Sequence, residues 1–86
     1  MSWELRVANQ ARKSLIRLSK NIANKILVVL DEFSLGPYLG DIKKIKGYED
    51  TWRRRVGRYR ITFEVPVSSK VISVTSIEIK TDNTYK

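Results

Sequence analysis

Hydrophobic and polar positions change their period several times along this chain, and each change marks an element. Residues 3–7 (Trp3, Glu4, Leu5, Arg6, Val7) alternate apolar and polar, the two-residue period of a half-buried strand. From Ala8 the period lengthens. Ala8, Ala11, Leu15, Leu18 and Ile22 recur at steps of three and four, one stripe of a helix, while Arg12, Lys13, Arg17 and Lys20 fall largely off it. Ser19 or Asn21 predicts a break. A second helix follows with Ile22, Ile26, Val29, Leu30 and Phe33 as its buried stripe. It should stop at Gly36-Pro37, because glycine tolerates the helix-ending conformation and proline cannot continue the helix. Two adjacent helices with so short a link predict an antiparallel hairpin.

Residues 38–50 read as an irregular connection punctuated by Gly40 and Gly47. Strand signals then begin. Residues 52–56 predict one strand. Residues 59–65 predict the clearest one, with Tyr59, Ile61, Phe63 and Val65 alternating against Arg58, Arg60, Thr62 and Glu64. Residues 66–70 form a turn, and residues 71–79 a third strand rich in β-branched side chains. Its phase slips: Ile72 and Val74 share one parity, Ile77 and Ile79 the other. A bulge, or burial on both faces, would account for this. The resulting order, β-α-α-β-β-β, predicts an α+β fold. The N-terminal helical hairpin packs on one face of a small, twisted, mainly antiparallel sheet, and the other face is left open to a ligand. With 86 residues and no repeat, linker or low-complexity segment, a single domain over residues 1–86 is expected.

Composition narrows the chemistry. There is no cysteine, hence no disulfide framework and no thiolate chemistry. There is no histidine, which removes the usual acid–base group near neutral pH and the commonest metal ligand. Serine triads, Cys–His dyads and ordinary zinc sites are excluded, so any catalysis must use Lys, Arg, Tyr, Asp or Glu. Asp31-Glu32 and Glu49-Asp50 are merely adjacent in sequence; no metal or other cofactor is expected. The longest apolar run, residues 26–30, is too short to span a bilayer. The first residues carry Glu4 and Arg6 without an apolar block, so no signal peptide is read there. No membrane partner and a cytoplasmic location are the expectations.

Charge sharpens the picture most. The formal net charge is +8, from 17 Lys+Arg against 9 Asp+Glu, a field that attracts polyanions and speeds encounter with them. Eight of those 17 lie between positions 43 and 60: Lys43, Lys44, Lys46, Arg53, Arg54, Arg55, Arg58 and Arg60. On an alternating strand Arg53 and Arg55 share a face, and Arg60 lies opposite Tyr59, Ile61 and Phe63. If the aromatic side meets the helices, a hairpin turning near Val56-Gly57 places Arg53, Arg55 and Arg60 together on the open face. Three guanidiniums there make a phosphate site, since each offers a planar fork of donors. The plainer alternative is a solvated edge whose arginines discourage sheet-to-sheet pairing. Clustering, shared parity and net charge favour the phosphate site. Glu64 and Glu78 are candidate cross-strand partners of the arginines. Trp3, Phe33, Tyr59 and Phe63 are expected in the core, and Trp52 either in the core or stacked on a base. Tyr38 and Tyr48 carry no assigned role, and Tyr85 stands outside any predicted element.

Lys43-Lys44-Ile45-Lys46-Gly47, followed by Trp52-Arg53-Arg54-Arg55-Val56-Gly57-Arg58-Tyr59-Arg60-Ile61, resembles the signature of the RelE/ParE superfamily of toxins from toxin–antitoxin modules. In that family a Lys-Leu-x-Gly-like segment precedes an Arg-x-Arg-x-Gly-x-Tyr-Arg hairpin, and a last strand leads to a short motif ending in Tyr. The resemblance covers nearly the whole chain; the arginine hairpin is its specific part, and Thr84-Tyr85 agrees with the ending. It implies a toxin of a type II module. RelE-like members are metal-independent endoribonucleases (mRNA interferases) that cut mRNA in the ribosomal A site and inhibit translation. ParE-like members poison DNA gyrase. Both are neutralised by a cognate antitoxin, expected here to be an acidic chain laid over the basic face. The RelE-like chemistry suits a chain without histidine, because the 2′-hydroxyl of the RNA is the nucleophile, basic side chains stabilise the phosphorus, and a Tyr or Lys handles protons. The resemblance implies catalytic roles for Arg53, Arg55, Arg60, Lys80 and Tyr85, and RNA contacts for Lys43, Lys44, Lys46 and Arg58. There are departures. Lys80 is the one positive charge where members carry Arg or His-Arg before the last Tyr. Arg54 replaces an aliphatic residue, and Arg58 an acidic or polar one. They motivate the alternative of a non-nuclease member of the same fold, either a gyrase poison or a degenerate toxin that only binds its antitoxin.

Overall fold

The computed structural model describes residues 3–66 and 69–79. Its elements are β1 (Glu4–Val7), α1 (Asn9–Arg17), α2 (Lys20–Glu32), β2 (Ile42–Lys44), β3 (Thr51–Val56), β4 (Tyr59–Glu64) and β5 (Val71–Ile79). The strands form one sheet in the order β1-β5-β4-β3-β2. Neighbours from β2 to β5 are antiparallel, while β1 runs parallel to β5. The fold is α+β with a mainly antiparallel sheet, as the periodicity predicts.

Local chemistry explains the helix ends. The Ala8 N–H donates to Val74 O at 2.9 Å, so the chain leaves the sheet where α1 begins. Leu18 is extended (φ −78°, ψ 155°), and Ser19 caps α2, its Oγ accepting from the Ile22 N–H at 3.4 Å. Of the two candidate breaks, Ser19 is therefore the operative one, because its hydroxyl satisfies a first-turn N–H that has no partner within the helix. Ala11 is the buried residue of α1; Ile26, Val29 and Leu30 are those of α2.

The core lies between these stripes and the inward faces of β4 and β5. Ile26, Phe33, Ile61, Phe63, Ile72 and Val74 are all fully buried. The Phe33 and Phe63 rings meet at 4.9 Å with a tilt of 48°, an arrangement favoured by the aromatic quadrupole. Trp3 and Tyr59 pack at the margin of this cluster. The phase slip in β5 is a bulge. Thr62 pairs with Ser76 but Phe63 pairs with Val74, which leaves Thr75 as the extra residue. Its hydroxyl donates to Thr62 O at 3.2 Å. Ile77 thereby lands on the same inward side as Ile72 and Val74.

Several boundaries differ from expectation; α2 ends at Glu32, four residues before Gly36. Residues 38–50 are not wholly irregular, because β2 lies within them, pairing Ile42 with Arg54, Lys43 with Arg53 and Lys44 with Trp52. Three residues are too few to show a period, and the edge of β3 induces the strand. Thr51 opens β3, and Val65 falls outside β4 although its N–H still donates to Asp50 O at 2.8 Å. Among the described residues no helix is long and apolar enough to cross a membrane.

Candidate nucleic-acid interface

The β3–β4 hairpin sets the site. Its loop is Gly57-Arg58, and Gly57 has φ +60°, the positive value that a two-residue hairpin turn needs at its first central position. This turn puts Arg55 directly opposite Arg60 and Arg53 opposite Thr62. Ile61 and Phe63 point into the core, so Arg53, Arg55 and Arg60 point away from the helices. β2 adds Lys43 opposite Arg53. Together with Asp41 and Ile42, these four cationic residues line a concavity of about 330 Å³ on the face turned away from the helices.

The charge arrangement in this concavity is unusual for a resting sheet surface. Like charges directly opposite one another are destabilising, yet Arg55 and Arg60 are so placed. The row across the sheet places Asp41 beside Arg55 at one end and Glu78 opposite Arg60 at the other. Asp41 Oδ2 accepts from Arg55 Nε at 2.9 Å and lies 2.9 Å from Nη2. Among the described residues, Lys43, Arg53 and Arg60 have no ion-pair partner. A phosphate between them would relieve their repulsion and would accept from the Arg53 and Arg60 guanidiniums, the strongest class of hydrogen bond available to those side chains.

Arg54, between the two outward arginines, does different work. Its side chain is 11% exposed, Nη2 lies 3.1 Å from Glu32 Oε1, and Nη1 donates to Leu39 O at 2.9 Å. It ties the end of α2 and the approach to β2 onto β3, on the face opposite the concavity. Gly40 is part of this arrangement. It has φ +80°, and a Cβ there would collide with the Arg54 guanidinium. Gly40→Ala is expected to destabilise the fold by about 1–3 kcal/mol, read as a lower urea midpoint at unchanged slope.

The remaining sequence candidates scatter. Lys44 lies over Trp52, its Nζ 5.8 Å from the ring centroid, and Trp52 packs edge-on against Tyr38 at 5.1 Å. Trp52 shares parity with Arg54, so it faces away from the concavity and is not placed to stack on a base bound there. Lys46 borders a separate loop depression beside Tyr48 and Glu49. Arg58 sits at the hairpin tip near Lys25 of α2. Lys80 and Tyr85 lie outside the described residues. Glu64 pairs with Thr51 instead of an arginine. Asp41 was not singled out by the sequence, because its partner is 14 residues away and no spacing rule links them. Among the described residues no group of three or more acidic side chains is placed to hold a metal ion.

Comparison with known proteins agrees with this fold. A stretch of 57 residues is 42% identical to "Toxin RelE3" of Methanocaldococcus jannaschii, covering 62% of this chain and 65% of that protein. The match thus spans slightly less than two thirds of the relative's length. A chain of the archaeal RelE–RelB complex from Pyrococcus horikoshii superposes with a TM-score of 0.82 at 25% identity, over 95% of this chain and 99% of that one. A chain of the RelB–RelE antitoxin–toxin complex from Methanococcus jannaschii gives 0.73 at 31% identity, over 86% and 88%. Residues 5–82 match the family described as the ParE toxin of the type II toxin–antitoxin system, parDE. That span takes in both helices, the arginine hairpin and, but for Glu4 at the start of β1, all five strands, and by it the chain belongs to the ParE toxin family of type II toxin–antitoxin systems.

Proposed function

We propose that this toxin is a metal-independent endoribonuclease that cuts mRNA in the ribosomal A site and so inhibits translation. The observation that carries the reading is the convergence of Lys43, Arg53 and Arg60, with Arg55 beside them, on one open concavity. A shallow basic surface suits a single strand whose phosphates and bases are splayed apart. In the proposed step the 2′-oxygen attacks the neighbouring phosphorus and the bond to the 5′-oxygen breaks. The products are a 2′,3′-cyclic phosphate and a 5′-hydroxyl; one proton leaves the 2′-oxygen and one reaches the 5′-oxygen. Arg53 and Arg60 neutralise the charge that grows on the phosphoryl oxygens, where fixed donors contribute most. Guanidiniums stay protonated and so exchange protons poorly. Proton transfer is assigned to Tyr85 or Lys80 on the resemblance of the C-terminal residues to the family's closing motif.

An acidic antitoxin is proposed as the partner. The structures compared above from Pyrococcus horikoshii and Methanococcus jannaschii are complexes of RelE with RelB. A net charge of +8 favours an acidic chain that pairs with the exposed arginines.

Primer extension on programmed ribosomes tests the nuclease. Wild type is expected to give ribosome-dependent cuts, and Tyr85→Phe to cut about 10²-fold or more slowly if Tyr85 transfers a proton. Folded wild-type protein that gives no cuts would replace this reading with the gyrase-poison or antitoxin-binding one.

A further inference from the structure

The basic concavity contains one ion-paired carboxylate, and it is bound to one of the arginines. Asp41 Oδ2 takes the side-on edge of Arg55, at 2.9 Å from both Nε and Nη2. That edge is one of the two on which a guanidinium presents paired parallel donors to a phosphate. The pair is held by the backbone as well, since the Arg55 N–H donates to Asp41 O at 2.9 Å. On the other face Arg54 Nη1 donates to Leu39 O at 2.9 Å, so adjacent arginines of β3 grip residues 39 and 41 from the two sides of the sheet. The pair is thus set by strand pairing and is not a chance meeting of two long side chains. The Arg55 and Asp41 side chains are 63% and 58% exposed, which leaves them within reach of a bound strand.

We infer that Asp41 is a built-in competitor of phosphate for Arg55. It holds that guanidinium, leaves Lys43, Arg53 and Arg60 to engage the RNA backbone, and thereby limits how tightly the toxin grips RNA. This rests on the RNA-binding reading above. Asp41 is a positioning residue, acting on the strand through Arg55. The arrangement has a physical rationale: a contact made equally with bound substrate and transition state tightens binding without speeding the chemical step. An exposed ion pair contributes little to stability, so Asp41→Asn is expected to fold normally.

The test is fluorescence anisotropy with a short labelled single-stranded RNA, over a series of salt concentrations. Wild type, Asp41→Asn, Arg55→Gln and the double variant are compared. One further phosphate contact steepens the slope of log K against log salt by about 0.7, worth about fivefold in affinity near 0.1 M salt. That gain is expected for Asp41→Asn. Arg55→Gln alone should weaken binding, because it removes a cation from the concavity and leaves Asp41 without its partner. In the Arg55→Gln background Asp41→Asn frees no guanidinium, so its gain should be smaller than in the wild-type background and should lack the steeper slope. An equal gain in both backgrounds would mean a general field effect and overturn the proposal. Unchanged or weaker binding by Asp41→Asn, or no binding by any of the four proteins, would do the same. Ribosomal cleavage by wild type is measured in parallel. Its absence, with the Asp41–Arg55 coupling intact, removes the nuclease reading and leaves the competition for phosphate standing.

Discussion

Replacing Arg60 with alanine is expected to slow cleavage of ribosome-bound mRNA by about 10²–10³-fold, the usual loss when one fixed donor to a developing oxyanion is removed. The protein should stay folded. Arg60 points away from the core, its neighbours Ile61 and Phe63 supply the buried face of β4, and its side chain has no ion-pair partner among the described residues. Removing it takes away the like charge opposite Arg55 and the cation opposite Glu78, two small effects of opposite sign, so thermal stability should change little. Arg60→Lys should restore only part of the activity, because an ammonium keeps the charge but lacks the planar fork. Cleavage is read by primer extension and folding by circular dichroism. An unfolded Arg60→Ala variant, or one that cuts at the wild-type rate, would remove Arg60 from the site.

The largest expected loss of stability follows Phe63→Ala, at about 3–5 kcal/mol. Phe63 is fully buried, lies 4.9 Å from the Phe33 ring, and sits beside the β5 bulge opposite Val74. Its removal forfeits transfer free energy and leaves a cavity between α2 and the sheet that rigid neighbours fill only in part. A domain of this size has a total stability of roughly 4–13 kcal/mol, so the variant should be at or near the edge of unfolding at 37 °C. Urea denaturation gives the midpoint shift, and Phe63→Leu should lose markedly less. Its effect on cleavage should follow the folded fraction, which distinguishes it from Arg60→Ala. A wild-type midpoint for Phe63→Ala would place the ring outside the core.

Local order determined much of this protein. The three- and four-residue steps in residues 8–33 located both helices, alternation located β4, β-branched content located β5, and the candidate strand just ahead of the turn is β3. The phase slip between Val74 and Ile77 pointed to the bulge at Thr75. Parity placed Arg53 and Arg55 on one face of their strand, and the tight turn at Gly57-Arg58 brought Arg60 to the same face. Tertiary structure decided the rest. β2 exists because β3 offers it an edge, and that pairing separates Lys43, in the concavity, from Lys44, over Trp52. Arg54 finds Glu32 across 22 residues and Arg55 finds Asp41 across 14. Such partners depend on the path of the chain between them. Periodicity reports how a side chain points and is silent about what another segment brings to meet it.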